Sequence, residues 1–334
     1  MTVSIAQRTG APATRLMSVG SYRPARVVTN AEICTRIDSS DEWIRERSGI
    51  LERRYAAPQE SVADMGVQAG RLALERSGID PAQVSMVLVA TVTHPLQTPS
   101  AAAEISFRLG AVNAAATDIS SACAGFCYGL GLADSMIRTG NAQYVLVVGV
   151  EKLSDWVNEY DRSSAFIFAD GAGAVVVGPS QEVGIGPTIW GADGSQADAI
   201  TMTQTLIEYR NDGGPVFPHL IMQGQQVFRW AVGEMPKVAF RALEAAGLRP
   251  EDLDAFIPHQ ANMRITDALV RAMKLPESLP VARDIATTGN TSAASIPLAI
   301  DRMLAEGEIR SGDVALVIGF GAGLAFASQV IRIP

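Results

Sequence analysis

Ala114-Ala-Ala-Thr-Asp-Ile-Ser-Ser-Ala-Cys123-Ala-Gly-Phe126 passes from a short apolar run into a cluster of small residues around a cysteine. Ala114–Ile119 is short and apolar enough to be a strand inside a sheet, and Phe126, Leu130, Ala133 and Ile137 then recur at helical spacing until Gly140 supplies a stop. Cys123 is therefore expected in the first turn of a long helix, where unpaired backbone N–H groups and the macrodipole favour a negative charge. Such a position lowers a thiol pKa and enriches the nucleophilic thiolate. A cysteine can equally be a small core residue. The strand-to-helix position and the small neighbours that leave it accessible favour a nucleophile.

The same order of elements recurs further along the chain. Ala73-Leu-Glu-Arg-Ser-Gly-Ile-Asp-Pro81 precedes Val84–Ala90, and Ala242-Leu-Glu-Ala-Ala-Gly-Leu-Arg-Pro250 precedes Leu253–Pro258. Each reads as a helix ending at glycine, a proline turn and a buried strand. Met136-Ile-Arg-Thr-Gly140 leads to Tyr144–Gly149, as Met303-Leu-Ala-Glu-Gly307 leads to Val314–Gly319. Between these anchors Thr117–Cys123 lies opposite Arg283–Asn290, so with one gap Cys123 and Asn290 are expected at matching junctions. Alternating strands and helices in two copies predict a duplicated α/β fold with helix-covered mixed sheets, divided near Gly178-Pro179 into halves 1–178 and 179–334. Residues 20–60 and 184–220 carry few periodic apolar runs and read as insertions.

The bulk properties narrow the function. The 334 residues are 48% hydrophobic and 19% charged, as in a compact globular protein. A net charge of −8 argues against nucleic acid as a partner. Cys34, Cys123 and Cys127 form no disulfide framework, the start Met1-Thr-Val-Ser-Ile-Ala-Gln-Arg has no apolar leader core, and no apolar run reaches the length of a membrane span. A cytoplasmic protein with no membrane association is expected. Metal binding is not: Cys123 and Cys127 lie one helical turn apart with no further ligand nearby, and Cys127 reads as helix packing.

Of the histidines, His259 follows a buried strand at its C-terminal end, where α/β sheets place their sites. Asn290, in Thr288-Gly-Asn-Thr-Ser-Ala-Ala-Ser295, reads either as a helix N-cap or as a site residue. Gly319-Phe-Gly-Ala-Gly323 follows a strand and can bring backbone N–H groups close to a ligand, but the chain then continues as a closing strand, so it is no dinucleotide fingerprint.

Ala-Cys-Ala-Gly-Phe, Pro-His-Gln-Ala-Asn and Gly-Asn-Thr-Ser-Ala-Ala-Ser, in this order, resemble the β-ketoacyl-ACP synthase III family, over essentially the whole chain. Leu96–Pro99 and Asp161–Phe168 look most similar to actinobacterial members. The resemblance implies a thiolase-like fold of two duplicated halves in α-β-α-β-α layers. It implies that an acyl-CoA acylates Cys123 and that malonyl-ACP then condenses with loss of CO2, with no metal or other cofactor. His259 and Asn290 would stabilise the enolate, and the N–H groups of Cys123 and Ala322 the tetrahedral oxyanion. Many relatives carry glycine at position 322, a mild departure because only the backbone is used. Absence of a cysteine from 319–323 separates the chain from thiolases, and Asn290 in place of a second histidine separates it from elongating synthases. A relative priming a polyketide or other secondary-metabolite pathway shares the triad. A non-catalytic acyl-CoA or ACP-binding subunit would have lost the nucleophile.

The same resemblance assigns Trp43 and Arg47 to the adenine of CoA and matches Arg162, Gly224, Asn262 and Phe320 to the tunnel. Arg229, Arg264, Arg271 and Lys274 read either as a solvated face or as a basic patch for acidic ACP. Thr98, where acetyl-restricted relatives look to have a phenylalanine, would reach into the acyl pocket of the partner subunit in a homodimer and leave room for longer or branched starters.

Overall fold

The computed structural model describes residues 5–334, so Met1 to Ser4 of the stretch read for a leader lie outside the described residues. In chain order the strands and helices of the first half are β1 (Ala13–Tyr22), β2 (Arg26–Thr29), α1 (Asn30–Ile33), α2 (Asp41–Ser48), β3 (Glu52–Tyr55), α3 (Val62–Ser77), β4 (Val84–Ala90), α4 (Ala101–Leu109), β5 (Ala115–Ile119), α5 (Gly125–Arg138), β6 (Tyr144–Lys152) and β7 (Asp170–Ser180). Those that follow are β8 (Ile189–Ala192), β9 (Ile200–Met202), α6 (Leu206–Asp212), β10 (Leu220–Met222), α7 (Gly224–Ala245), β11 (Ala255–Pro258), α8 (Met263–Met273), α9 (Ile285–Thr288), α10 (Ser295–Ala305), β12 (Val314–Gly321) and β13 (Ala325–Arg332).

One five-stranded sheet has the order β1-β7-β6-β4-β5, with β6-β4-β5 parallel and β1 and β7 antiparallel. A four-stranded sheet has the order β11-β12-β13-β8, with β11-β12 parallel. The first sheet draws its strands from residues 13–180 and the second from 189–332; β7 itself runs two residues past Gly178.

Because strand side chains alternate between faces, each sheet feeds two cores. Val87, Val89, Leu146 and Val148 pack outward on α3 and α4. Leu88, Val145, Val147 and Val175 pack inward with Phe126 and Leu130 of α5 and Ile296 and Ile300 of α10. The other side of these two helices meets Ile257, Val317 and Ile331 of the second sheet. The outer face of that sheet, Phe256, Leu316 and Ile318, is closed by Val238 of α7 and Leu269 of α8. The layers are thus helices, sheet, the pair α5/α10, sheet, helices, the thiolase-like arrangement expected. Among the described residues no helix is long and apolar enough to cross a membrane.

The structure revises the matching of the halves. Cys123 lies in a 3-10 turn, Ala122–Ala124, that precedes α5; the equivalent turn before α10 is Ser292–Ala294. Each turn opens on a non-glycine residue with positive φ, 43° at Ala122 and 50° at Ser292. Cys123 is therefore equivalent to Ala293, and Asn290 lies three residues earlier. The gap inferred from sequence compensated for the wrong alignment of two Thr/Ser-rich segments.

The two turns pack reciprocally. A Cβ on Gly149 of β6 would lie 2.2 Å from the carbonyl oxygen of Ala293, and one on Gly319 of β12 would lie 2.9 Å from that of Cys123. Each half lays its turn on a bare position of the other half's central strand. Gly149→Ala should therefore destabilise the protein by about 1–3 kcal/mol, the usual range for an overpacked core. Denaturant unfolding should show a lower midpoint with an unchanged slope; an unchanged midpoint would mean that the contact is not tight.

Candidate active site

Each site residue is held by its own element. Cys123 leaves β5 through the 3-10 turn, where Gly319 and Gly321 admit it: a Cβ on Gly321 would stand 2.9 Å from its sulfur. The φ of Gly321 is −179°, extended backbone open to any residue, so space and not torsion requires the glycine. Cys127, one turn on, is fully buried against Gly319 and is packing, while Cys34 sits in a separate cluster with Ile33 and Ile44.

His259 directly follows β11, and its N–H donates to the Ile318 carbonyl at 2.8 Å. Its Nδ1 lies 2.8 Å from Ser295 Oγ, which also accepts the Gln260 N–H at 3.3 Å. With the hydroxyl donating to Nδ1, the imidazole proton sits on Nε2, which is the tautomer assigned to the site. Burial pulls the His259 pKa down to about 3, so the ring is neutral. Phe320 packs edge-on at 5.4 Å and fixes its plane.

Asn290 is held at both ends of its backbone, donating to Ile167 O and accepting from Ala169 N–H at 2.9 Å each. Its Oδ1 accepts the Ser292 N–H at 2.8 Å, which leaves the Nδ2 protons for the pocket. Gln260 ties the histidine and asparagine segments together. Its Nε2 donates to Pro258 O and Ala282 O at 2.8 and 3.2 Å, and its Oε1 accepts the Ile285 N–H at 3.1 Å.

All three side chains line one cavity of about 890 Å³. Arg47, Arg229 and Arg264 line its exposed end, with Trp43, Gly224, Asn262, Phe320 and Ala322 also on its wall. Arg47 and Arg162 lie over the Trp43 ring at 5.9 and 5.1 Å from its centre. Asn262 caps α8 and donates to Arg47 O at 3.0 Å, joining the two elements at the mouth. Arg264 lies over Phe228 at 5.5 Å. Arg271 and Lys274 are exposed further along and just past α8, away from the cavity wall. Thr98 is exposed and does not line the pocket of its own chain. Among the described residues no group of three His, Cys, Asp or Glu side chains is placed to hold a metal ion.

One expectation is overturned. Burial pushes the Cys123 thiol up to about 12; the Ser292 hydroxyl and the cysteine's own N–H work against this but do not cancel it, and the Glu151 charge adds to it. The helix-start position alone does not give a resting thiolate, because desolvation of the anion outweighs it.

Sequence reading also missed three residues that complete the site: Ser295, hydrogen-bonded to His259 Nδ1, Ser292, and the buried Glu151 behind it. The serines stood inside a quoted motif. Glu151 was signalled only as an acid at the end of an otherwise apolar strand.

Family models for the 3-oxoacyl-[acyl-carrier-protein] synthase III C terminal and for 3-oxoacyl-[acyl-carrier-protein] synthase III match residues 243–333 and 117–194. The chain is 57% identical to β-ketoacyl-[acyl-carrier-protein] synthase III 1 of Streptomyces coelicolor, over 97% of this chain and 98% of that one. The priming β-ketosynthase from the R1128 polyketide biosynthetic pathway superposes with a TM-score of 0.96 at 47% identity, over 98% of each chain. The 3-oxoacyl-[acyl-carrier-protein] synthase III of Aquifex aeolicus VF5 superposes with a TM-score of 0.89 at 39% identity, over 96% of this chain and 100% of that one. A cysteine-bearing turn, a neutral histidine and an oriented asparagine meeting between two duplicated halves are thus found in a chain that belongs to the β-ketoacyl-[acyl-carrier-protein] synthase III family.

Proposed function

We propose that the chain catalyses the priming condensation of fatty acid synthesis. An acyl-CoA acylates Cys123 and releases CoA. Malonyl-ACP then enters, loses CO2, and its enolate carbon attacks the acyl-cysteine to give 3-oxoacyl-ACP. The observation that carries this is the convergence of Cys123, His259 and Asn290 on one largely apolar cavity whose mouth holds a tryptophan with two arginines over its ring. The Nε2–H of His259 and the Nδ2–H of Asn290 are the neutral donors an enolate oxygen needs. The amides of Cys123 and Ala322 serve the tetrahedral oxyanion, and Gly321 lets that loop approach. This chemistry draws on thioester substrates, side chains and backbone, and calls for no metal or cofactor.

Trp43, Arg47, Arg162, Gly224, Asn262 and Phe320 are assigned to CoA and pantetheine. Arg229, Arg264, Arg271 and Lys274 are assigned to docking acidic ACP on an otherwise acidic enzyme, with Arg229 and Arg264 at the mouth itself. The reading takes the enzyme to be a cytoplasmic homodimer. In its support, β5 is an edge strand, and Phe107 of α4, Val112 in the loop before β5 and Leu96 in the loop before α4 are 80%, 73% and 55% exposed. A priming role in a polyketide pathway uses the same residues, and the R1128 priming β-ketosynthase shares the fold; the Streptomyces coelicolor relative carries the name β-ketoacyl-[acyl-carrier-protein] synthase III.

Intact-mass measurement after exposure to a panel of acyl-CoAs tests the reaction, and peptide mapping should place the adduct on Cys123. An adduct on Cys34 or Cys127 would sink the mechanism.

His259→Ala and Asn290→Ala should each weaken decarboxylation by about 2.7–4 kcal/mol, the range for a lost oxyanion donor. Acylation of Cys123 should suffer far less. The two half-reactions are measured separately, and equal loss in both would assign these residues to the first step as well.

Thr98→Phe should shift starter preference towards acetyl-CoA while sparing malonyl-ACP use. A phenyl ring fills space that substrate methylenes would occupy, at about 0.8 kcal/mol of lost burial for each methylene excluded. Starter competition between acetyl-CoA and a longer acyl-CoA decides it; an unchanged ratio would show that other residues set chain length.

A further inference from the structure

Acylation of a protonated thiol needs somewhere for its proton to go. His259 cannot take it in the tautomer described, because Nδ1 is engaged by Ser295 and Nε2 already carries a proton. Behind Cys123 there is another group. Glu151, at the end of β6, is wholly buried. Its Oε2 accepts from Thr91 Oγ1, the Val92 N–H and Thr93 Oγ1 at 3.1, 3.1 and 2.6 Å. Its Oε1 accepts from Ser292 Oγ at 3.1 Å. Ser292 opens the turn packed beside that of Cys123 and lines the same cavity, and its hydroxyl opposes the rise of the Cys123 thiol.

We propose that Glu151 is a positioning residue that holds the Cys123 proton, through the Ser292 hydroxyl, for as long as the cysteine is acylated. This deepens, and rests on, the priming reaction proposed above. In the first half-reaction the Cys123 sulfur bonds to the acyl carbon and CoA leaves as its thiolate. The S–H proton passes to Ser292 Oγ, whose own proton passes to Glu151 Oε1; CoA takes its proton from solvent. In the second half-reaction the enolate carbon bonds to the acyl carbon, the C–S bond breaks, and the Glu151 proton returns along the same path to the released thiolate. One proton leaves and returns, and the relay ends as it began.

The surroundings suit this task. All four donors to the carboxyl are neutral. The adjacent Lys152 is turned away to Asp155 and the Pro58 carbonyl, at 3.2 Å each. Asp170, opposite Lys152 on β7, is engaged by Ser154 and the Ala56 N–H. The titratable group on the other side of Ser292 is thus Cys123, and the Glu151 charge disfavours a Cys123 thiolate. Burial pushes the Glu151 pKa up to about 7, which suits a group that must both take and return a proton. The donors crowded on Oε2 fix the carboxyl so that Oε1 alone faces the serine.

The test uses the intact enzyme with iodoacetamide as probe for Cys123, followed between pH 6 and 10, beside acylation by acetyl-CoA or a longer acyl-CoA. The wild type should show a rise in alkylation rate centred near the Glu151 value of about 7. Glu151→Gln keeps the shape and can still accept from the threonines, but it cannot take a proton. It should lose that step and react at least tenfold more slowly at pH 8. Glu151→Asp should restore the step at reduced rate. Ser292→Ala, which leaves the carboxyl in place, should match Glu151→Gln, and the double variant should be no worse than either single one. Wild-type rates with the wild-type step in Glu151→Gln would overturn the proposal, as would single losses that multiply in the double variant. Failure of the wild type itself to acylate from any CoA thioester, with alkylation intact, would instead overturn the priming reaction.

Discussion

The structure depends on a close reciprocal contact between its halves. The turn carrying Cys123 rests its carbonyl on Gly319, and the equivalent turn carrying Ala293 rests its carbonyl on Gly149. No side chain fits between turn and strand on either side. The contact brings the ends of β5 and β6 from one sheet beside the ends of β11 and β12 from the other, which is why groups far apart in sequence share one cavity. It also explains the strained positive φ at Ala122 and Ser292: both turns must double back sharply to lie flat on the opposing strand, and packing on both sides overdetermines them.

Burial then sets the electrochemical character of the site. The same desolvation that raises Cys123 and Glu151 lowers His259, so each is held in its neutral form near neutrality or can reach that form there. A neutral imidazole with its proton on Nε2 is a hydrogen-bond donor and not a cation. It can stabilise a developing enolate without forming a permanent ion pair with a thiolate in the resting state. The price of this arrangement is a nucleophile that is not pre-ionised, and the network from Cys123 through Ser292 to Glu151 is the part of the site able to offset it.

The legible part of the fold was what periodicity and punctuation report. The strand before Cys123 begins at Ala115, one residue from its predicted start, and the helix after it runs Gly125–Arg138 as the apolar spacing and Gly140 indicate. The pairing of repeats anchored on Gly149 and Gly319 was right, because glycine at those positions in the strands is demanded by space. What misled was the register of Arg283–Asn290 against Thr117–Cys123. That register depends on a 3-10 turn whose positive φ falls on alanine in one half and serine in the other, and neither residue advertises that conformation. The resting state of the thiol was misjudged for a related reason: helix-start amides can be read from sequence, whereas desolvation depends on what the second half places over the cysteine. Glu151 stayed silent because its partners Thr91, Thr93 and Ser292 lie on other segments.

The corrected equivalence gives the duplication a chemical meaning. Position for position, Ala122-Cys123 in one turn faces Ser292-Ala293 in the other. One copy carries the sulfur and a methyl group where the other carries a hydroxyl; the other carries the hydroxyl and a methyl group in place of the sulfur. The half that carries the thiol also supplies Glu151, and the half that carries the hydroxyl supplies His259 and Asn290. No half holds a complete set, so neither can act alone, and the constraint that presses the turns together on bare glycines also assembles the reacting groups. A substitution that separates the halves by a fraction of an ångström acts on the nucleophile, the hydroxyl and the carboxylate together, whereas one in the outer layers of α3, α4, α7 or α8 reaches the chemistry only through the sheets between.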